Sequence, residues 1–246
     1  MPFTPAHAAL VLPLVRMDPR YLSATGLIIG SMAPDFEYFF RMSSDAKYGH
    51  TLPGLFFFDL PVTVLLAIVF HQVVKQKLIS HLPVFLQTRL HPLRQLGFMT
   101  HLKTYFIAFT VSALVGAASH ILWDEFTHGD GYFATRIPFY RRHYIRFEGV
   151  RYPLWYALQN ICSWVGVAIV AIYMLCLKPR AGAVHTPSLW YWCFVLMVTL
   201  LVVALRFQFD LGHAKLGLLI VTSISGLCIA VVLAGFMPFR TASGYS

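Results

Sequence analysis

The sequence predicts an all-α, polytopic integral membrane protein, and two observations lead to this class. Hydrophobic residues make up 58% of the 246 residues and charged residues only 12%, with a mean hydropathy of +0.66, which is far from the average for soluble domains. Five segments are also apolar over the roughly 20 residues that a helix needs to cross a hydrocarbon core about 30 Å thick. The predicted spans are about Leu55–Val74, Tyr105–Trp123, Trp155–Leu177, Trp190–Phe207 and Leu216–Met237.

The N-terminal region, residues 1–54, contains two apolar runs that are too short to span. Ala8–Val15 and Leu22–Met32 are expected to form short core or re-entrant helices that pack at one membrane face. No basic segment precedes the first run, so we do not expect a cleaved signal peptide. The prediction is one membrane domain, 1–246, with a site-forming region at 1–54 and a helical bundle at 55–246.

Two connecting segments of the bundle have characters of their own. Residues 75–104 place leucine and phenylalanine at near-helical spacing among polar residues, which predicts an interfacial amphipathic helix, broken near Pro83 and Pro92. Residues 129–154 mix arginines with aromatic residues. Two interpretations of this second segment stay open: an anchor at headgroup level, or a lid whose arginines bind a phosphate bidentately.

The net charge of +9, from 19 Lys and Arg against 10 Asp and Glu, predicts loops that face anionic headgroups. Nucleic-acid binding is not expected, because no recognition motif accompanies the charge. Alternating the five spans across the bilayer puts residues 1–54, 124–154 and 210–215 on one side. The positive-inside rule weakly favours that side as cytoplasmic. Asp210 and His213, in the last of these segments, are weaker candidates for groups that support a site.

The end of the second span carries the strongest chemical signal. Residues four apart share one face of a helix, so His120, Asp124 and His128 form one polar stripe. Such groups at the edge of a bilayer require a partner or a function. His120 and Asp124 are either metal ligands or a buried hydrogen-bonded pair, and we favour ligands. His128 precedes Gly129 and could instead mark the helix C-terminus.

The N-terminal region offers further ligands on the same side of the membrane. Thr4 and the following proline predict a helix N-cap and first helical position, which places His7 in the opening turn. Asp35 and Glu37 offer oxygen atoms, and His7 and His50 offer nitrogen atoms; with the stripe they suffice for one or two divalent ions. Asp35 could instead cap the next helix, and either histidine could be an ordinary loop residue.

Four stretches, in this order and spacing, resemble the bacterial membrane proteins grouped as domain of unknown function 4184. This resemblance implies a multi-pass protein of the bacterial inner membrane, in a family whose name assigns no activity. The stretches are Met-Pro-Phe-Thr-Pro-Ala-His7-Ala-Ala, Gly30-Ser-Met-Ala-Pro34-Asp35-Phe-Glu37-Tyr, Gly49-His50-Thr-Leu-Pro-Gly-Leu-Phe and Ser119-His120-Ile-Leu-Trp-Asp124-Glu-Phe-Thr127-His128.

The same order of motifs is more distantly similar to inner-membrane metal-dependent hydrolases of the YdjM type, which are usually compared with zinc-dependent phospholipase C. This similarity implies a divalent metal, with zinc expected first and manganese or another transition metal as alternatives. The chain has a glutamate where that group has a second aspartate, and it has one histidine fewer, which puts a second metal in question unless His128 replaces the missing ligand. The implied metal ligands are His7, Asp35, His50, His120 and Asp124.

The leading hypothesis is a membrane-embedded, metal-dependent hydrolase of a phosphoester, with a phospholipid or an isoprenoid phosphate as candidate substrate. Glu37 or His128 would orient the attacking water or act as the base. The substrate phosphate would be neutralised by Arg141, Arg142 and Arg146. The alternative is a non-enzymatic membrane protein, a scaffold or transporter, whose His/Asp cluster is structural or binds an ion. The sequence predicts no particular oligomeric state.

Overall fold

The computed structural model describes residues 3–208, 216–239 and 243–244, and it confirms the predicted class. Among these residues, five helices are long and apolar enough to cross a membrane, and each overlaps one predicted span. Asp210 and His213 lie outside the described residues, as does the side chain of Arg141. The five helices are Leu55–Ser80, Phe106–Arg136, Leu154–Cys176, Leu189–Phe207 and Leu216–Phe236.

Shorter elements surround and connect these spans. Two small antiparallel sheets occur among the described residues, one pairing Tyr144–Phe147 with Val150–Pro153 and the other pairing Val184–His185 with Ser243–Gly244. Short 3₁₀ segments cover Thr4–His7, Leu12–Leu14 and Ala33–Asp35, and π-helical turns cover Leu55–Asp59 and Phe70–Val74. The α-helices are α1 (Ala8–Val11), α2 (Ala24–Gly30), α3 (Phe36–Arg41), α4 (Leu60–Val69), α5 (Lys75–Ser80), α6 (Val84–Gln95), α7 (Phe98–Thr104), α8 (Phe106–Thr127), α9 (Tyr132–Arg136), α10 (Pro138–Arg142), α11 (Leu154–Cys176), α12 (Leu189–Phe207) and α13 (Leu216–Phe236). The strands are β1 (Tyr144–Phe147), β2 (Val150–Pro153), β3 (Val184–His185) and β4 (Ser243–Gly244).

The chain folds into two compact units whose segments interleave along the sequence. The first unit comprises Met1–Asp35, Tyr48–Thr63 and Tyr105–Tyr173. The second comprises Phe36–Lys47, Val64–Thr104 and Met174–Ser246. His7, Asp35, His50, His120, Asp124 and His128 all belong to the first unit, whereas Glu37 belongs to the second.

In the first unit, α2 packs directly against the middle of α8. A Cβ atom added at Gly30 would lie 2.4 Å from the carbonyl oxygen of Ala113, and one added at Gly116 would lie 2.4 Å from that of Leu27. Any larger residue at these positions would clash with the neighbouring backbone, so only glycine fits. Small residues at such contacts let two helix backbones approach each other closely. This close packing brings the end of α2, at Ser31, against the part of α8 that carries His120.

In the second unit, α12 packs against α13 around a small apolar core. Buried side chains from both helices meet there, among them the fully buried Tyr191 of α12 and Ala230 of α13. Ser225 on α13 donates a hydrogen bond to the carbonyl oxygen of Phe39 on α3, at 2.8 Å. A hydroxyl group inside a span is stabilised in this way by a neighbouring backbone acceptor.

Two local predictions are wrong. Thr4 is not an N-cap: the first 3₁₀ segment begins at Thr4 itself, with Phe3 in the cap position and no side-chain cap. Pro92 does not break the amphipathic segment, because it lies inside α6, although the predicted break near Pro83 separates α5 from α6. A proline leaves the carbonyl four residues earlier without its helical partner; here the amide of Arg180 donates to that oxygen, on Thr88, at 3.0 Å.

Candidate metal centre

His120 and Asp124 lie one turn apart on α8, where His120 is fully buried and Asp124 almost so. The Nδ1 atom of His120 lies 2.8 Å from the carbonyl oxygen of Ser31. Because a carbonyl oxygen only accepts, Nδ1 carries the proton, and in the neutral ring Nε2 holds the lone pair. A backbone carbonyl commonly fixes a metal-ligating histidine in this way.

The Nε2 atom of His120 is directed at two carboxylates. It lies 3.4 Å from Oδ2 of Asp124 and 3.5 Å from Oδ1 of Asp35. A charge-assisted N–H···O bond would be about 2.7–2.9 Å long, so both distances are longer than such a bond. With the ring neutral, Nε2 and the two carboxylate oxygens are three acceptor atoms that face one another in a buried space, an arrangement that a cation between them would stabilise.

His50 completes the arrangement from the loop that precedes the first span. Its Nε2 atom lies 3.5 Å from Oδ1 of Asp35 and 3.5 Å from Oδ2 of Asp124. The neighbouring Gly49 lies against the backbone of Pro34. A Cβ atom at residue 49 would be only 2.5 Å from the carbonyl oxygen of Pro34, so a larger residue would push the loop away. The glycine therefore lets the loop approach the backbone beside Asp35.

These four residues pass a geometric test for a shared ion. Ligand atoms of Asp35, His50, His120 and Asp124 all lie within 4.8 Å of one another, so the group could hold a metal ion. Two ligand atoms that are each about 2.1 Å from one tetrahedral ion are about 3.4 Å apart, close to the distances above. In addition, Oδ1 of Asp35, Nε2 of His120 and both carboxylate oxygens of Asp124 are buried without a hydrogen-bond partner among the described residues.

The pKa values of the groups outside the spans show how strongly the two carboxylates attract positive charge. Burial lowers the pKa of His7 to about 3, and the nearby His120 acts in the same direction. Burial alone would lower the pKa of His50, but its contacts with Asp124 and Asp35 outweigh burial and raise that pKa to about 9. Burial would likewise raise the pKa of Asp35, but His120 and then His50 hold it well below its usual range. Asp35 is therefore an ionised carboxylate.

The structure brings two further predicted residues to Asp124. The ring of His7 stacks on that of His120 at a centroid distance of 3.7 Å, and its Nε2 atom lies 3.6 Å from Oδ1 of Asp124. His128 directly follows the end of α8, and its Nδ1 atom donates to the carbonyl oxygen of Asp124 at 3.1 Å. His7 is buried, whereas 26% of the side chain of His128 is exposed.

Of the other predicted residues, Glu37 belongs to the second unit, and Arg142 and Arg146 belong to the first. Oε1 of Glu37 accepts from the amide of Lys47 at 2.8 Å and from Arg41 at 3.3 Å, all within the second unit. Arg142 and Arg146 are exposed. The roles assigned to Glu37 and to the arginines stay predictions.

Sequence reasoning missed the groups that orient the ligands. The hydroxyl group of Thr4, which was predicted to cap a helix, donates to Oδ2 of Asp35 at 2.6 Å. The carbonyl oxygen of Ser31 orients His120. A threonine beside a proline has an adequate local explanation, and a backbone carbonyl has no sequence signature, so neither group could have been identified without the fold.

Thr4→Val is expected to lower the affinity of the centre for a divalent metal by about 10–100-fold, because groups that orient a ligand have effects of this size. The substitution keeps the branched shape and removes the hydroxyl group that holds Oδ2 of Asp35. Metal titration of the chelator-stripped variant measures the effect. Thr88→Val is the matched control, since the hydroxyl group of the half-buried Thr88 donates locally, to the carbonyl oxygen of Phe85 at 3.2 Å. Equal affinities for the Thr4 variant and wild type would contradict this role.

Comparison with models of protein families identifies the family of this chain. A family model described as Domain of unknown function (DUF4184) matches residues 1–236 of the chain. No curated protein and no solved structure matches the chain. The more distant similarity to YdjM-type hydrolases and to phospholipase C stays a prediction from the sequence.

Proposed function

This chain belongs to the family described as Domain of unknown function (DUF4184), and we propose that it is a membrane-embedded, metal-dependent hydrolase of a phosphoester. The observation that carries the proposal is the orientation of His120. Its Nδ1 proton is directed to the Ser31 carbonyl, and its Nε2 atom faces the carboxylates of Asp35 and Asp124. Nitrogen and oxygen ligands together suit zinc and other transition metals.

In this proposal Asp35, His50, His120 and Asp124 hold the ion, and His7 is a fifth candidate ligand beside Asp124. When bound, a divalent ion supplies a water molecule with a pKa near 7 and polarises a phosphoryl oxygen. The chain's own groups then position the substrate and move the proton.

His128 is the residue best placed to accept that proton. Its Nδ1 atom donates to the carbonyl oxygen of Asp124, so Nε2 carries the lone pair and is the basic atom. Its partial exposure gives it access to water outside the buried ligands. Glu37 is the second candidate base, and Arg141, Arg142 and Arg146 are the candidates that would neutralise the substrate phosphate.

The position of the ligands supports a lipid substrate. His120 and Asp124 are part of a helix that is long and apolar enough to cross a membrane, so a substrate that reaches them is itself in or at the bilayer. A phospholipid and an isoprenoid phosphate both carry a phosphoester on an apolar chain. We propose the bacterial inner membrane as the location and zinc as the first metal to test.

The direct test is a turnover assay of the metal-loaded protein in detergent or nanodiscs with phospholipids and isoprenoid phosphates. His128→Gln is expected to keep the metal and to lower kcat by about 10²–10⁴-fold, the usual contribution of a general base. His143→Gln is the matched control, because the exposed His143 makes the same kind of contact, from Nδ1 to the carbonyl oxygen of Phe139 at 2.8 Å. Unchanged turnover in the His128 variant would remove it from the mechanism.

The number of protein ligands supports a second candidate function. Four protein ligands can complete a tetrahedral shell, as in structural metal sites, whereas catalytic sites keep a position for water. The cluster would then stabilise a non-enzymatic membrane protein, a scaffold or a transporter. Folded protein that holds one metal ion and turns over none of the phosphoesters would favour this candidate, and turnover that depends on the metal would exclude it.

A further inference from the structure

A β-hairpin directly precedes the span that begins at Leu154. Strand β1 pairs with β2 in antiparallel register, and the helix α11 begins at the residue after β2. Glu148 and Gly149 connect the strands with positive φ angles of 47° and 78°, as in a type I′ turn. Four residues of strand extend about 13 Å, so the hairpin cannot leave the neighbourhood of the membrane surface.

The two faces of this hairpin differ in chemistry. Residues that pair across an antiparallel ladder lie on the same face. Ile145 pairs with Tyr152 and Phe147 with Val150, which makes one face apolar. The adjacent pair, Arg146 with Arg151, belongs to the opposite face and makes it basic.

Exposure to water destabilises the hairpin on both of its faces. Phe147 is 64% exposed and Val150 50% exposed, and an isolated two-stranded hairpin is only marginally stable in water. Arg146 and Arg151 are also exposed, and like charges directly opposite each other destabilise a pair of strands. An anion shared by the two arginines removes the repulsion, and an apolar phase beside the other face removes the exposure.

We propose that the hairpin 144–153 binds the anionic headgroup region of the bilayer. Arg146 and Arg151 contact lipid phosphates, while Ile145, Phe147 and Val150 face the acyl boundary. Long arginine side chains reach phosphate level while an apolar face sinks below it, as in other interfacial amphipathic elements. The arginine pair complements the charge of acidic lipids. The proposal does not depend on the metal centre, and it assigns Arg146 to the bilayer, which leaves Arg141 and Arg142 as the predicted substrate contacts.

Chymotrypsin cleavage after Phe147 tests the proposal in the full-length protein. The protein is placed in nanodiscs of phosphatidylcholine alone or with phosphatidylglycerol, and the fragments are identified by mass spectrometry. Two arginines near an anionic surface are expected to slow cleavage at Phe147 by about 30-fold relative to the neutral bilayer. Because charge–charge attraction between exposed groups is screened by salt, about 1 M NaCl should abolish the difference. Equal rates in the two bilayers would overturn the proposal.

Variants and one soluble probe sharpen the test. Arg146→Gln/Arg151→Gln is expected to bring the ratio of the two cleavage rates close to one. Lys178→Gln/Arg180→Gln, which removes the same charge from exposed positions elsewhere, is expected to leave it unchanged. If both double variants reduce the ratio equally, net charge explains the protection and the proposal fails. It also fails if inorganic phosphate protects Phe147 equally well in the neutral bilayer, because the ligand would then be free phosphate.

The apolar face has a separate variant. Ile145→Ser/Val150→Ser keeps both arginines and the cleavage site, and it is expected to speed cleavage at Phe147 in both bilayers. An unchanged cleavage rate would contradict insertion of the apolar face.

Discussion

His120→Ala and Asp124→Ala are each expected to yield protein without bound divalent metal. Each substitution removes one of the four ligands that lie within 4.8 Å of one another. Loss of a group that merely orients a ligand costs about 10–100-fold in affinity, so loss of a ligand should exceed about 100-fold. Under the proposed function, turnover should fall by more than the 10²–10⁴-fold that a general base contributes, because the activated water is lost with the ion.

Two comparisons make this result interpretable. His81→Ala also truncates a buried histidine whose Nδ1 atom contacts a backbone carbonyl, at 2.7 Å from that of Lys77, and this variant should keep its metal. Asp124→Asn keeps the shape of the side chain and removes the charge, so it separates loss of ligation from loss of folding. Normal metal content in the His120 and Asp124 variants would remove both residues from the centre.

Removal of the metal from wild-type protein with a chelator is expected to lower the melting temperature by about 10 °C. Without the ion, the buried carboxylates of Asp35 and Asp124 are left with contacts of 3.4–3.6 Å to histidine nitrogens. A ligand at about 1,000 times its Kd stabilises the folded state by roughly 4 kcal/mol. For a protein of this length, a loss of 1 kcal/mol in the free energy of unfolding lowers the melting temperature by about 2–4 °C.

Thermal unfolding in detergent, followed with and without chelator, measures this shift. Added zinc should restore the original melting temperature of wild type. Asp124→Asn, which is expected to hold no metal, should melt at the same temperature in both conditions. Wild-type protein that melts identically with chelator and with zinc would show that no stabilising ion binds there.

The spans and half of the centre were predictable because they are local properties of the chain. Twenty apolar residues identify a spanning helix wherever it packs, and each predicted span overlaps an observed one. The four-residue spacing of His120 and Asp124 places them on one helix face before any fold is known. In the structure, Nε2 of His120 lies 3.4 Å from Oδ2 of Asp124; their role as metal ligands stays a prediction.

The other half of the metal centre, Asp35 and His50, depends on contacts between segments that are distant in the sequence. Asp35 and His50 join α8 only because glycines allow close backbone contacts, Gly30 and Gly116 between α2 and α8, and Gly49 beside Pro34. The sequence suggested these two residues as ligands, but it could not exclude a helix cap or an ordinary loop histidine. The orienting contacts of Thr4 and Ser31 span 31 and 89 residues, so no local pattern reports them.

The β1–β2 hairpin could not be predicted from the sequence for a different reason. Residues 129–154 were predicted as an anchor or a lid, with no secondary structure assigned, and they form α9, α10 and the β1–β2 hairpin. Each strand has only four residues, too few for a clear alternation of apolar and polar positions. The Glu148–Gly149 turn is less distinctive than Asn-Gly or Asp-Gly, the usual signals for a two-residue hairpin turn.

The metal content of wild-type protein, purified in detergent without chelator, tests the central claim most directly. Elemental analysis should find about one divalent ion per chain, because Asp35, His50, His120 and Asp124 form one group that could hold one ion. Zinc is the expected element. Folded wild-type protein that contains no divalent metal, and that takes up neither zinc nor manganese when titrated, would contradict the claim that this cluster is a metal centre.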